Sequence, residues 1–218
     1  METGDNPWLR IPADEYEAHM CSIGQSTVLR EFFCRVYKES SPTRLAILGC
    51  TTGSDMQHVD PTVTGMVVGV DINPAYIEIA RARFTTLGSR LHLVNGDVME
   101  VELPAVPFDL VHAALLLEYV EPLSLLRRIH RWLSPEGTCS VVTQEPVPGG
   151  AEVSSSGFKS LGILAGRMFL RKADEVVAMA AEAGFRFMRQ RAITLPNGKS
   201  LVSSIFEKPR WTEYGHHE

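Results

Sequence analysis

Three short stretches of the chain combine residue types that suit a nucleotide-like ligand. Gly49 and Gly53 flank a turn directly after the apolar run 45–48, and glycine lets the backbone approach a bound molecule closely. Asp71 follows a second apolar run, 22 residues after Gly49, where a carboxylate can accept hydrogen bonds from both hydroxyls of a ribose. Asp97 follows a third run and suits the exocyclic amine of an adenine.

Each of these residues also has a purely local interpretation. The two glycines could form a tight turn and nothing more, Asp71 could cap the helix that begins near Pro74, and Asp97 could be a turn residue. The ligand-binding interpretation is favoured because the carboxyl ends of parallel strands converge on one crevice. Ile72 and Val98 would then supply apolar faces for the base.

The apolar runs that would position these residues alternate with helical segments, which predicts a parallel, doubly wound sheet. Strands are predicted at 44–48, 65–70, 91–94, 108–113, 138–143, 186–194 and 201–207. Helices are predicted twice within 8–38, from about Ser54, and at 74–87, 123–132 and 172–183. In this interpretation the helix after Gly53 would present free N–H groups to the ligand.

The end of the chain departs from this alternation. Only residues 195–200, which include Pro196, Asn197 and Gly198, separate the last two predicted strands, and so short a connection predicts a hairpin. The expected fold is therefore α/β, with a doubly wound, mostly parallel seven-stranded sheet, an antiparallel last strand and an N-terminal helical cap. The Gly- and Ser-containing stretch 146–166 is long for a loop, so we expect it either to cover a site or to be mobile.

Together these features resemble the class I S-adenosylmethionine-dependent methyltransferases, which have a Rossmann-like fold. The matching segments are 45–53, 67–73, 95–98, 108–120 and 133–138, together with the closing hairpin. The resemblance implies one domain over 1–218, made of an N-terminal helical segment (1–40), a methyltransferase-like domain (41–208) and a tail (209–218).

The resemblance also implies roles for individual residues, with S-adenosylmethionine as the cofactor. The loop residues Gly49, Cys50, Thr51 and Gly53 would run beside the methionine moiety, and Asp71 with Ile72 would hold the ribose and border the base. Asp97 and Val98 would hold the adenine. Ala113 and Ala114 match positions close to the methionine ammonium group.

The first loop departs from the family pattern of an acid followed by three alternating glycines. Ile47 replaces the acid and Thr51 replaces the middle glycine. The lost acid predicts weaker cofactor binding, and loss of the cofactor is an alternative. Asp55 could compensate, or it could be a first-turn helix residue that interacts with the helix dipole.

Catalytic residues are harder to predict, because methyl transfer from a sulfonium depends mainly on alignment and needs a base only when the acceptor must lose a proton. Glu118 and Tyr119 follow the fourth strand and are the catalytic candidates; the alternatives are a helix-start acid and a packed aromatic. Tyr16, His19 and Met20 share a helix face and are predicted to border the acceptor pocket, although Met20 also suits a core position.

Composition limits the function classes. The net charge of −5 disfavours nucleic acids and anionic membranes as partners, so a small-molecule methyl acceptor is expected, with the protein a monomer or homodimer. No metal site is expected, because Cys21, Cys34, Cys50 and Cys139 lie far apart without metal-ligand spacing. These cysteines and the absence of an apolar leader predict a cytoplasmic protein.

Three functions remain open from the sequence. The favoured one is a methyltransferase that acts on a small molecule. The second is a catalytically silent module that binds S-adenosylmethionine or regulates a partner, suggested by Ile47 and Thr51. The third, a NAD-dependent oxidoreductase, is disfavoured because the loop has Gly-x-x-x-Gly instead of Gly-x-Gly-x-x-Gly.

Overall fold

The computed structural model describes residues 6–210, so most of the predicted tail lies outside the described residues. Its strands are β1 (Arg44–Leu48), β2 (Met66–Asp71), β3 (Leu91–Asn95), β4 (Phe108–Ala114), β5 (Leu133–Gln144), β6 (Arg186–Thr194) and β7 (Ser200–Glu207). Its α-helices are α1 (Ala13–Ser22), α2 (Gln25–Ser40), α3 (Pro74–Arg83), α4 (Pro122–Trp132) and α5 (Ala173–Glu182).

The seven strands form one sheet in the order β3-β2-β1-β4-β5-β7-β6. The pairs from β3 to β5 are parallel, whereas β7 pairs antiparallel with both β5 and β6. The strand order reverses at β1, between β2 and β4. The predicted doubly wound sheet with a reversed last strand is therefore confirmed.

The helices cover both faces of this sheet because residues along a buried strand alternate between faces. On β1, Leu45 and Ile47 pack with α2 and α3 side chains such as Phe33 and Ile77. Ala46 and Leu48 face the opposite side, with Leu125 and Leu126 of α4 among their cluster partners. The carboxyl ends of β1, β2 and β4 are thus held rigidly between two apolar layers.

The helix predicted from about Ser54 is wrong. Only a short 3-10 turn, Met56–His58, follows the glycine loop before β2. Pro61 disfavours helical geometry at Asp60, and four β-branched residues between 59 and 64 weaken helix propensity. Instead, Met56 is buried over Gly69, where any larger residue would collide with its side chain.

Other boundaries shift modestly. Helix α3 ends at Arg83 and is followed by a 3-10 stretch, Thr85–Arg90, whereas β5 begins five residues earlier than predicted. Within residues 6–210 no helix is both long and apolar enough to cross a bilayer.

Candidate functional site

A cavity of about 390 Å³ opens at the carboxyl ends of β1, β2 and β4. Helix α1 and the stretch after β5 form its other walls. The lining is mainly apolar and aromatic, with polar groups at both ends. Eleven of the residues predicted for the site line it: Tyr16, His19, Met20, Gly49, Thr51, Asp71, Ile72, Asp97, Val98, Ala114 and Tyr119.

Four predicted residues do not line this cavity. Cys50 is buried in the cluster between the sheet and α2, and Ala113 is fully buried on the other face of the sheet. Gly53, with φ +89°, packs against the Phe84 ring, which an added Cβ would meet at 2.5 Å. Glu118 is 1% exposed and lies behind the cavity wall.

Asp71 is the buried carboxylate of the cavity. Its Oδ2 accepts a hydrogen bond from the Thr51 N–H at 2.8 Å, and its Oδ1 accepts one from the Asn73 N–H at 2.9 Å. Burial raises the pKa of Asp71 to about 6, against the lowering effect of these two bonds. Each oxygen keeps a second lone pair. Asn73, not Asp71, caps α3 by accepting the Ala75 N–H.

Three N–H groups of the glycine loop already have protein partners. The Cys50 N–H donates to the Val70 carbonyl, the Gly53 N–H donates to the Cys50 carbonyl, and the Thr51 N–H is taken by Asp71. The sequence-based expectation of free N–H groups from a following helix is therefore wrong. Thr51 adopts φ +48°, a left-handed conformation that is uncommon for a β-branched residue.

The two threonines of this loop hold α1 over the cavity. The Tyr16 hydroxyl interacts with the Thr51 side chain, and burial and the neighbouring Asp71 carboxylate raise the pKa of Tyr16 well above its usual value. The Thr52 hydroxyl donates to Glu17 Oε1 at 2.5 Å, and Glu17 also pairs with Arg83 of α3. Helix α1 is thus bonded to the loop and to α3.

Ile47, which stands where the family pattern has an acid, faces away from the cavity. Ile47 is 2% exposed within the core cluster under α2. Asp55 does not take its place: its Oδ2 lies 3.7 Å from Nε2 of the fully buried His112, whose Nδ1 contacts Ser140 Oγ at 3.0 Å. Burial raises the pKa of Asp55 to about 7 and lowers that of His112 to about 4.

A polar network borders the cavity at the end of β5. Glu118 Oε1 accepts the Gln144 N–H at 2.9 Å, while its Oε2 is buried without a partner among the described residues. Burial raises the pKa of Glu118 to about 7. Burial also raises the pKa of Tyr119, with a smaller contribution from Glu118. The Gln144 side chain lines the cavity, bonded to the Glu152 carbonyl.

The stretch predicted at 146–166 covers the cavity. Val153, Leu161 and Leu164 contribute to its wall. The Lys199 ammonium donates to the Glu152 carbonyl at 2.6 Å, which ties the stretch to the β6–β7 hairpin. Toward α1, Ser156 Oγ lies 2.5 Å from His19 Nδ1.

Sequence reasoning missed several residues of the site. Trp8, Gln25, Gln144 and Ser154 line the cavity, while Glu17 acts from outside it. Gln144 could have been found, because it is the last residue of a buried strand at the same edge of the sheet as Asp71. The others reach the site through tertiary contacts that no local pattern announces. Within 6–210 no group of three or more metal-ligating side chains is assembled.

Comparison with known proteins gives a consistent family of relatives. Residues 46–137 match the family model described as a methyltransferase domain. The chain is 28% identical over 96 residues to a carboxy-S-adenosyl-L-methionine synthase of Wolinella succinogenes, covering 41% of this chain and 39% of that protein. It is 28% identical over 163 residues to 24-methylenesterol C-methyltransferase 2 of Oryza sativa subsp. japonica, covering 70% of this chain and 44% of that protein.

The chain thus spans about two fifths of the length of these curated relatives. Among solved structures it is similar to the N-methyltransferase NodS from Bradyrhizobium japonicum in complex with S-adenosyl-L-homocysteine. The TM-score is 0.63 at 15% identity, covering 86% of this chain and 87% of that one. At this identity the likeness establishes the shared fold.

Proposed function

We infer that this chain, which belongs to the class I S-adenosylmethionine-dependent methyltransferases, binds S-adenosylmethionine and transfers its methyl group to a small-molecule acceptor. The observation that carries this proposal is Asp71, a 7% exposed carboxylate that lines the cavity beside the glycine loop. A buried carboxylate is costly unless its hydrogen bonds are satisfied. The second lone pairs of its oxygens suit two adjacent ribose hydroxyls.

The rest of the cavity fits the other parts of the cofactor. Ile72, Val98 and Met99 offer apolar surface beyond Asp71, and Asp97 lies at the same end. Its Oδ1 already accepts the Met99 N–H at 2.8 Å, which leaves Oδ2 for the adenine amine. Gly49, with φ +66°, and Ala114 border the methionine end.

When bound, S-adenosylmethionine supplies a methyl group on a positively charged sulfur that leaves as a neutral thioether. The residues of this chain hold the acceptor in line and exclude water, which accounts for much of the rate in such a displacement. Tyr16, Met20 and Leu161 enclose the acceptor end. We propose that Glu118 acts through Gln144, since its side chain does not line the cavity.

A small molecule suits this cavity, because residues of α1 and of the covering stretch 146–166 form part of its wall. The sterol named for the rice relative is also a small molecule. We retain a monomer or homodimer, a cytoplasmic location, and a single domain with the segments 1–40 and 41–208 as proposals.

A second candidate is a module that binds the cofactor without turnover. It is favoured by the burial of Ile47 in the core and by the internal use of the Thr51 N–H, which remove two possible contacts to the methionine moiety. An oxidoreductase has no such support.

Turnover separates the two candidates. We expect release of S-adenosylhomocysteine when the protein is incubated with methyl-labelled S-adenosylmethionine and a panel of hydroxyl-, amine- and thiol-bearing acceptors. At a concentration of S-adenosylmethionine below its Kd, Asp71→Asn should lower that release about 10-fold or more. His92→Gln, at an exposed position of β3, serves as the control. Cofactor binding with no labelled product from any acceptor would support the silent module.

A further inference from the structure

Among the side chains that border the acceptor end, His19 is the one placed to accept a proton. It lines the cavity and is only 5% exposed. Ser156 Oγ contacts Nδ1 and fixes the ring. Among residues 6–210 no hydrogen bond occupies Nε2, and this atom is not among the buried unpartnered atoms. The second ring nitrogen therefore remains accessible to a ligand.

The position of His19 along α1 brings it near the reacting end of the cofactor site. Tyr16 interacts with Thr51 of the glycine loop, and residues three apart on a helix are neighbours on one face. His19 is therefore one turn along α1 from a residue that contacts the glycine loop. Met20 and Ile23 continue this wall with apolar side chains.

Glu100 lines the cavity next to Met99, at the nucleotide end. The remaining titratable side chains of the lining are otherwise engaged. Asp71 and Asp97 accept backbone N–H groups at the nucleotide end. Glu152 Oε2 accepts the Gly166 N–H. The pKa values of Tyr16 and Tyr119 are raised far above neutrality, chiefly by burial, so neither phenol ionises to act as a base.

The charge beside His19 is positive. Burial, with a smaller contribution from the Lys199 ammonium, lowers the pKa of His19, which keeps its imidazole neutral at pH 7. Lys199 is itself 8% exposed and bonded to the Glu152 carbonyl. Burial lowers the pKa of Lys199, against the raising effect of the nearby Glu152 carboxylate. Of these two charges the ammonium is the one that acts on His19, and it favours an acceptor that develops negative charge.

We propose that the acceptor is an apolar molecule with an acidic hydroxyl, such as a phenol or enol, and that His19 Nε2 takes the hydroxyl proton as the oxygen is methylated. This proposal rests on the proposed methyltransferase function. The acceptor O–H bond breaks and its proton passes to Nε2, while the oxygen forms a bond to the methyl carbon. The electrons of the former methyl–sulfur bond stay on sulfur, and His19 later releases its proton to solvent.

The test uses 2-naphthol and 2-naphthylamine, which share an apolar skeleton and differ in the acceptor atom. We expect methyl transfer to the naphthol at least 10-fold faster than to the amine. His19→Gln should lower kcat for the naphthol by about 100-fold, the low end of the contribution of a general base. It should leave the affinity for S-adenosylhomocysteine unchanged, and His92→Gln should leave both unchanged.

A second readout does not depend on turnover. In the wild-type complex with S-adenosylhomocysteine, adding 2-naphthol should move the NMR resonances of the His19 ring, while those of His92 stay in place. The proposal is overturned if the His19 resonances do not respond, if His19→Gln keeps kcat within threefold, or if the amine is preferred. Failure to bind S-adenosylhomocysteine at all would instead overturn the proposed function, and this proposal with it.

Discussion

At the scale of single residues, Asp71 has two tasks that compete for the same carboxylate. It fixes the glycine loop through the Thr51 N–H and the start of α3 through the Asn73 N–H. It also borders the cavity where we place the ribose. The loop that lacks one glycine of the family pattern is thus held by the same residue that would contact the cofactor.

Asp71→Asn should therefore weaken both stability and cofactor binding. The amide nitrogen would face one of the two backbone N–H groups, donor against donor, which should lower the free energy of unfolding by about 1–3 kcal/mol. By calorimetry we expect a 10- to 100-fold higher Kd for S-adenosylhomocysteine. Asp109→Asn is the matched control, because Asp109 also accepts two backbone N–H groups, from Thr43 and Arg44, at the opposite end of the sheet. It should lower stability alone; equal losses of affinity in both variants would contradict a ligand-binding role.

Glu118 should make stability depend on pH. Burial raises its pKa to about 7 from 4.5, so the folded protein binds this proton more tightly than the unfolded chain, and stability falls as pH rises through 7. Glu118→Gln mimics the neutral acid. The effect of Glu118→Gln on the free energy of unfolding should therefore differ between the two pH values. We expect it to be more stabilising at pH 8 than at pH 6, by about 1 kcal/mol.

Urea unfolding at the two pH values measures this difference. Asp71 and Asp55, with pKa values also raised by burial, should act in the same direction; His112 opposes them only below pH 6.5, where the unfolded chain gains its proton. Exposed Glu78→Gln is the control. A Glu118→Gln effect that is the same at both pH values would show that this carboxyl is not neutral in the folded state.

At the scale of elements, the threonines of the glycine loop couple it to α1. Thr51 interacts with Tyr16, and Thr52 donates to Glu17, which also pairs with Arg83. Thr51, which replaces a glycine of the family pattern, thus contacts the helix that covers the cavity.

Thr52→Val should loosen α1 while keeping the shape of the loop. Without the hydroxyl, Glu17 loses one of its two partners, and we expect at least threefold faster hydrogen exchange across residues 16–22. Thr62→Val is the control, since within residues 6–210 the Thr62 hydroxyl donates to Asp60 on an exposed turn, away from α1. Unchanged exchange in Thr52→Val would mean that Arg83 alone holds the helix.

Gly53 packs closely against Phe84 and does not line the cavity, although it belongs to the glycine loop. Its φ is +89° and an added Cβ would meet Phe84 at 2.5 Å, whereas Gly198 of the β6–β7 hairpin, with φ +83°, has nothing within 4 Å. Both alanine variants place a side chain at a similar positive φ, which costs about 1–2 kcal/mol, so the difference between them reports the collision. We expect Gly53→Ala to have the lower thermal midpoint, and equal midpoints would contradict this packing role.

The sequence allows the strands to be predicted better than the stretch after the first loop. Runs such as 45–48 are apolar on both faces, and this pattern has few alternatives in a chain of this size. The stretch 54–64 depends on Met56 filling the space over Gly69, a contact between elements. Pro61 and its β-branched neighbours favour extended geometry, whereas the regular alternation of strands and helices around them favours a helix.

At the scale of the whole molecule, one half of the cavity can be predicted from the sequence, whereas the other half depends on contacts between distant segments. Asp71, Asp97 and Gly49 follow from the rule that ligands bind at strand ends. The acceptor half is assembled from α1, the covering stretch and the β6–β7 hairpin; His19 and Ser156, for example, are 137 residues apart. No local pattern encodes such a distant contact.

The central claim is that this cavity binds S-adenosylmethionine through Asp71. Calorimetry at pH 7.5 with S-adenosylhomocysteine and, separately, with NAD tests it most directly. We predict micromolar binding of S-adenosylhomocysteine with one site per chain, a 10- to 100-fold higher Kd in Asp71→Asn but not in Asp109→Asn, and no heat with NAD. Absence of binding by the wild-type protein, or binding that Asp71→Asn leaves intact, would contradict the account.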